Sequence, residues 1–285
     1  MRRYILFAVY AFIVLTPVQS YAQKENATEI LARVRTSVQQ MTNALPSLVC
    51  REEVVSTKME RGKVKVKGNF GYQLTVTLPA KPGDEYPEER KLLTYNGKPI
   101  HRNKRHTPVF LYLDGFGTTF DGILSPAASR CLLYSAHATS EDGVKILELD
   151  VRKNHAALAL RVCRIYKEDP DGTASFWISA DTGQLLRFYA HMPHVRITWQ
   201  RGIGIPHSVG LEIKTMPLSN VVTDTDYHSV QFGPALTIIP AKVNVTAILL
   251  KKPYIEYTYH AVQSECHRFL ATVTLLPVKM VPPEN

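Results

Sequence analysis

The sequence predicts a mainly β protein of the α+β kind, an antiparallel meander of about a dozen strands with two helices. Three observations predict it. Apolar and polar residues alternate with a period of two in run after run between residues 48 and 275. Turn-forming stretches such as Asn96-Gly97 and Ala180-Asp181-Thr182-Gly183 separate the runs. No internal repeat and no Ser/Gly-rich linker divides the chain, so residues 23–285 read as one domain.

The clearest stretch is residues 173–190, two aromatic-rich arms around Ala180-Asp181-Thr182-Gly183. In the first arm Phe176 and Ile178 share one face, and Ser175, Trp177 and Ser179 the other. In the second, Leu186 and Phe188 are expected opposite Leu185, Arg187 and Tyr189. Large apolar groups on both faces place this hairpin inside a sheet, away from its edge.

The first 22 residues stand apart. Arg2 and Arg3 precede an apolar run from Tyr4 to Leu15, Pro17 breaks it, and Ser20-Tyr21-Ala22 has the small-x-small form of a signal-peptidase site. The run is about 12 residues, short of the roughly 20 that span a bilayer. Cleavage after Ala22 is expected. It would leave an exported chain, periplasmic or extracellular, with no transmembrane segment.

The net charge of +9 is concentrated in residues 58–67 and 101–106. Such stretches are expected as solvated loops or edge strands, where lysine also discourages aggregation. Nucleic acid is not an expected partner, because no binding motif occurs. Cys50, Cys131, Cys163 and Cys266 in an exported chain allow two disulfides in any of three pairings. No C-x-x-C spacing occurs, so a redox or zinc-ribbon role is not expected.

From Asn26 to Leu45 the apolar residues Ile30, Val34, Val38, Met41 and Leu45 recur at intervals of three and four, the stripe of an amphipathic helix that Pro46 stops. Strands follow at 48–59 and 63–78 around Glu60-Arg61-Gly62. Residues 79–90 read as a loop, and 91–95 ends in the hairpin signal Asn96-Gly97. Phe116, Phe120 and Leu124 repeat every four residues, with Ile123 alongside, as a short second helix weakened by Gly115, Gly117 and Gly122. Further strands are expected at 131–136, 144–152, 156–167, 194–200, 209–215, 225–232, 236–249, 254–262 and 269–275.

Catalytic signatures are missing: no G-x-S-x-G elbow, P-loop, H-E-x-x-H or G-x-G-x-x-G occurs. The chain is therefore expected not to be an enzyme, with no cofactor. His191 and His194 fall on opposite sides of an extended chain, and the remaining histidines form no sequence cluster, so no metal site is expected. Asp224 and Asp226 share a strand face, as paired carboxylates at a solvated strand start do. Arg187 is the one charge in an apolar arm, with its stem expected on the sheet and its guanidinium in water.

Five pieces of the chain carry a resemblance: Leu45-Pro-Ser-Leu-Val-Cys50, Gly115-Phe-Gly117, Phe176-Trp-Ile-Ser-Ala-Asp-Thr-Gly-Gln-Leu-Leu-Arg187, Asp226-Tyr227 leading to Ile238-Ile-Pro240, and Glu256-Tyr257 leading to Phe269. Their order resembles a group of exported, acidobacterial-type proteins related in fold to the lipoprotein carrier LolA and the RseB sensor domain. The resemblance implies a strongly curved antiparallel sheet or half-barrel, with a concave apolar cavity covered by the two helices. The cavity or its lid would then comprise Val34, Val38, Met41, Phe116, Phe120, Leu124, Phe176, Trp177, Arg187 and Phe188. The implied function is non-catalytic binding of a lipid or an acylated, amphipathic peptide. The alternative is a cell-envelope sensor or scaffold that binds protein on the same fold. Cys131, Cys163, Cys266 and the basic 101–106 segment lie outside the resemblance.

Overall fold

The computed structural model describes residues 26–78, 86–100, 106–109, 120, 123–141, 143–163, 171–201, 212–233, 235–249 and 254–269. The chain opens with α1, Ala27–Ala44. Then come β1 (Leu48–Glu60), β2 (Lys63–Val76), β3 (Glu88–Tyr95) and β4 (Lys98–Pro99). After a 3-10 turn at Ala128–Arg130 follow β5 (Leu132–Glu141), β6 (Val144–Lys153), β7 (Thr173–Ser179) and β8 (Leu185–Arg201). The last three are β9 (Glu212–Phe232), β10 (Ala235–Leu249) and β11 (Ile255–Arg268).

Local chemistry explains the element ends. Asn26 caps α1, its side-chain oxygen accepting from the Thr28 N–H at 3.0 Å. The helix stops at Ala44 because Leu45, which precedes Pro46, takes an extended backbone. Arg61-Gly62 and Asn96-Gly97 all have positive φ, the geometry of a two-residue turn whose twist matches its strands.

Among the described residues, eleven strands form one sheet in the order β4-β3-β2-β1-β11-β10-β9-β8-β7-β6-β5. Every neighbour is antiparallel. The order is that of a meander cut open in its middle. β1 pairs with β11, and between Pro99 and Leu132 the chain returns from one edge of the sheet to the other. A disulfide between Cys50 and Cys266 joins β1 to β11 beside a register shift, where Glu265 has positive φ.

Alternation divides the sheet into two faces. Val54, Phe70, Tyr259, Val245, Phe188, Phe176 and Leu149 are buried on the face that α1 covers, called inner below. Against it pack Ile30, Val34, Val38 and Met41 of α1, none more than 6% exposed.

Several expectations are corrected. Residues 156–167 are no strand in their described part. Asn154 O accepts from Ala157 N and Leu158 N, tight turns continue to Cys163, and the Cys131–Cys163 disulfide ties this stretch to the start of β5. Only Ala157 and Cys163 there are buried, so the apolar run reflects no alternation. The stretch 194–200 continues β8 through Pro193, and 225–232 belongs with 212–215 to one long β9. In β8 the register shifts so that Ile178 pairs with Leu185 while Trp177 pairs with Arg187. Leu186 is thus an inserted residue, which brings Leu185 to the buried side with Phe188. Of the expected second helix, residues 120, 123 and 124 are described and helical. The leader 1–22, Phe116, residues 101–105 and the run beyond Phe269 lie outside the described residues.

Candidate ligand-binding face

The inner face of β5–β9 is built from the alternate residues of five strands. Leu147, Leu149 and Val151 of β6 stand beside Ala174, Phe176 and Ile178 of β7, then Phe188 and Ala190 of β8 and Tyr227 of β9. Phe120, 2% exposed, inserts its ring among them. Its centroid lies 5.4 Å from Phe176, 4.9 Å from Phe188 and 6.2 Å from Tyr227. The first two contacts are edge-on, the arrangement ring quadrupoles favour.

Hydrogen bonds fasten the chain just after Phe120. Arg35 of α1 donates from Nε to Leu124 O at 2.5 Å and from Nη2 to Ser129 Oγ at 2.8 Å. Tyr134 Oη donates to Ile123 O at 2.7 Å. Arg33 donates to Ala180 O at 2.6 Å and so holds α1 to the turn between β7 and β8. The 123–129 stretch is thus anchored to both α1 and β5, while the ring of Phe120 makes apolar contacts.

The expected site residues divide between the faces. Val34, Val38, Met41, Phe120, Leu124, Phe176 and Phe188 meet in one buried cluster. Trp177 and Arg187 lie on the outer face. There the guanidinium stands 5.2 Å from the Trp177 ring centre and binds Asp224 through two bonds of 2.7 and 2.6 Å. That hydrogen bond to Asp224 raises the Arg187 pKa. Asp226 is 4.0 Å away, so the paired carboxylates at 224 and 226 serve to hold Arg187. The four cysteines pair as Cys50–Cys266 and Cys131–Cys163.

Farther along the inner face is a charged group that sequence reasoning missed. Glu52 accepts from Arg90 at 2.6 and 3.1 Å, and Glu88 accepts from the same guanidinium at 2.8 Å. All three side chains are at most 7% exposed. Burial opposes the Arg90 charge, but Glu52, Tyr259 and Glu88 together outweigh it and move the pKa up. Burial also pushes Tyr259 well above the usual phenol range, with Glu52 adding to the effect. The sequence carries a signal for this group: in Leu48, Cys50, Glu52 and Val54, a charge occupies a core-facing position.

Two hydroxyls on the inner side, Ser37 Oγ of α1 and Thr223 Oγ1 of β9, are buried with no hydrogen-bond partner among the described residues. A cleft of about 580 Å³ lies on the outer side of β1–β3 and β11, among Arg51, Glu53, Gln73, Leu93, His267 and Phe269.

The arrangement defines a class of architecture: an open, eleven-stranded antiparallel sheet with a helix on one face. No family model and no curated protein matches the chain. Among solved structures it is similar to a DUF1329 family protein from Desulfovibrio piger, at 11% identity and a TM-score of 0.37, over 87% of this chain and 95% of that one. It is also similar to a LolA superfamily protein from Nitrosomonas europaea, at 8% identity and a TM-score of 0.35, over 84% and 94%. Likenesses this distant carry no argument about what the chain does. Among the described residues no helix is long and apolar enough to cross a membrane.

Proposed function

We propose that the chain is an exported, non-catalytic binding protein for a lipid or an acylated, amphipathic peptide. The ligand lies on the inner face of β5–β9, in a half-barrel whose lid is the stretch around Phe120. The observation that carries this reading is the Phe120 ring, seated among Phe176, Phe188 and Tyr227 by apolar contact. An acyl chain offers the same kind of contact and could replace the ring without orphaning a hydrogen bond. Burial of apolar surface yields about 25 cal/mol per Å² before ordering costs, so the exchange is close to balanced. Ser37 and Thr223 support the amphipathic character, because a buried unpaired hydroxyl costs about 1–3 kcal/mol that a polar ligand atom can recover. Two disulfides support export.

The second reading is an envelope sensor or scaffold that uses the same sheet with no small ligand. The close packing of Phe120 favours it. One experiment separates the two: uptake of a fluorescent fatty acid by Phe120→Asp and by the milder Phe120→Ala. The binding reading expects higher uptake in a variant whose β-sheet circular dichroism is retained. A folded variant that takes up no more probe than wild type favours the scaffold.

A further inference from the structure

The outer face of β5 and β6 holds a cluster that neither the sequence reading nor the proposed lipid site uses. In the antiparallel register His137 of β5 stands directly opposite Glu148 of β6, and Asp150 follows two residues on, on the same face as Glu148. A ring nitrogen of His137 and an oxygen from each carboxylate all lie within 4.8 Å of one another. His137 Nε2 is 2.9 Å from Glu148 Oε2, and Nδ1 is 3.7 Å from Asp150 Oδ2. Ligands at about 2.0 Å around a tetrahedral ion stand about 3.3 Å apart, so the widest of these separations needs to close by up to about 1.5 Å.

We propose that His137, Glu148 and Asp150 form a site for a divalent transition metal of the zinc class. One imidazole with two carboxylates is a donor set of zinc and its first-row neighbours, since oxygen-only sets suit calcium and magnesium. Strand geometry supplies the rigidity: ligands at i and i+2 on β6 and a third on its hydrogen-bonded neighbour need no loop to order.

Two further observations point the same way. Ser175 of β7 donates to Asp150 Oδ1 at 2.5 Å from outside the cluster, which fixes the carboxylate and leaves Oδ2 toward His137. Metal ligands are oriented by such outer partners. The charge balance also differs from that of the other carboxylate pair on this face. Asp224 and Asp226 are compensated by Arg187, whereas among the described residues no Arg or Lys pairs with Glu148 or Asp150. Like charges two residues apart on one face repel. A divalent cation removes that repulsion, and the fourth position is left open to water.

The site would also fasten β5, an edge strand whose sheet partner is β6. Metal that binds the folded state alone raises the melting temperature by mass action.

The test is equilibrium dialysis of tag-free protein against Zn²⁺, read by elemental analysis, with calorimetry for affinity. The expected result is one zinc per chain at micromolar free metal, weakened tenfold or more by His137→Ala and by Asp150→Asn. Asp224→Asn should leave binding unchanged. Binding should fall in acid, where protons compete for the ligands. Failure to bind zinc below millimolar concentration would overturn the proposal, as would undiminished binding by folded His137→Ala.

Discussion

At the β5–β9 end of the inner face, Phe120 packs against Phe176, Phe188 and Tyr227; at the β1–β3 end, Arg90 bridges Glu52 and Glu88. Both ends are closed to water, and the forces that close them differ in kind. Apolar contact is non-directional, so one apolar group can give way to another of similar size. A buried ion pair is directional, and removal of one partner strands the other charge in a dry interior. Under the proposed binding function, the aromatic end is where the sheet can exchange one apolar group for another, while the charged end keeps a single arrangement.

The largest effect is expected where the charges are. Arg90→Ala removes the guanidinium that the buried Glu52 and Glu88 carboxylates share and should cost about 5 kcal/mol in a denaturant melt. A loss under about 1 kcal/mol would mean that this ion group does not hold its end of the sheet.

Phe188→Ala should cost about 4 kcal/mol, the price of a large-to-small change at a 3% exposed site. A loss under about 1 kcal/mol would show that the aromatic end is loosely packed. On the outer face, where Arg187 is 45% exposed, Arg187→Ala should cost under about 1 kcal/mol and leave inner-face probe uptake unchanged. A drop in probe uptake would place Arg187 in the ligand's path and undo the division into two faces.

Much of this division was legible in the residues. The stripe of α1, the Asn96-Gly97 turn and the interior position of the β7–β8 hairpin follow from periodicity and turn chemistry alone. What was missed depended on register. Leu185 faces the core only because Leu186 is inserted, so an unmarked bulge turns Leu185 to the side opposite the one that alternation expects. The turns at 155–163 imitate a strand because a disulfide fixes their conformation and leaves Leu160 and Val162 exposed. Glu52 and Arg90 lie 38 residues apart and meet through pairings of β1 with β2 and β2 with β3. His137 and Glu148 likewise become neighbours only when β5 folds onto β6. No spacing rule for metal ligands along a helix or loop reaches them.

Under the proposed binding function the aromatic end opens while the charged end stays closed, and hydrogen exchange read by mass spectrometry, with and without a saturating long-chain fatty acid, separates the two ends. Amides around Phe120, Ile123 and Leu124 are expected to lose protection on binding, those of β6–β9 to gain it, and those of β1–β3 to stay unchanged. Protection around Phe120 that is unchanged while fatty acid is bound, or a change centred on β1–β3, would contradict it.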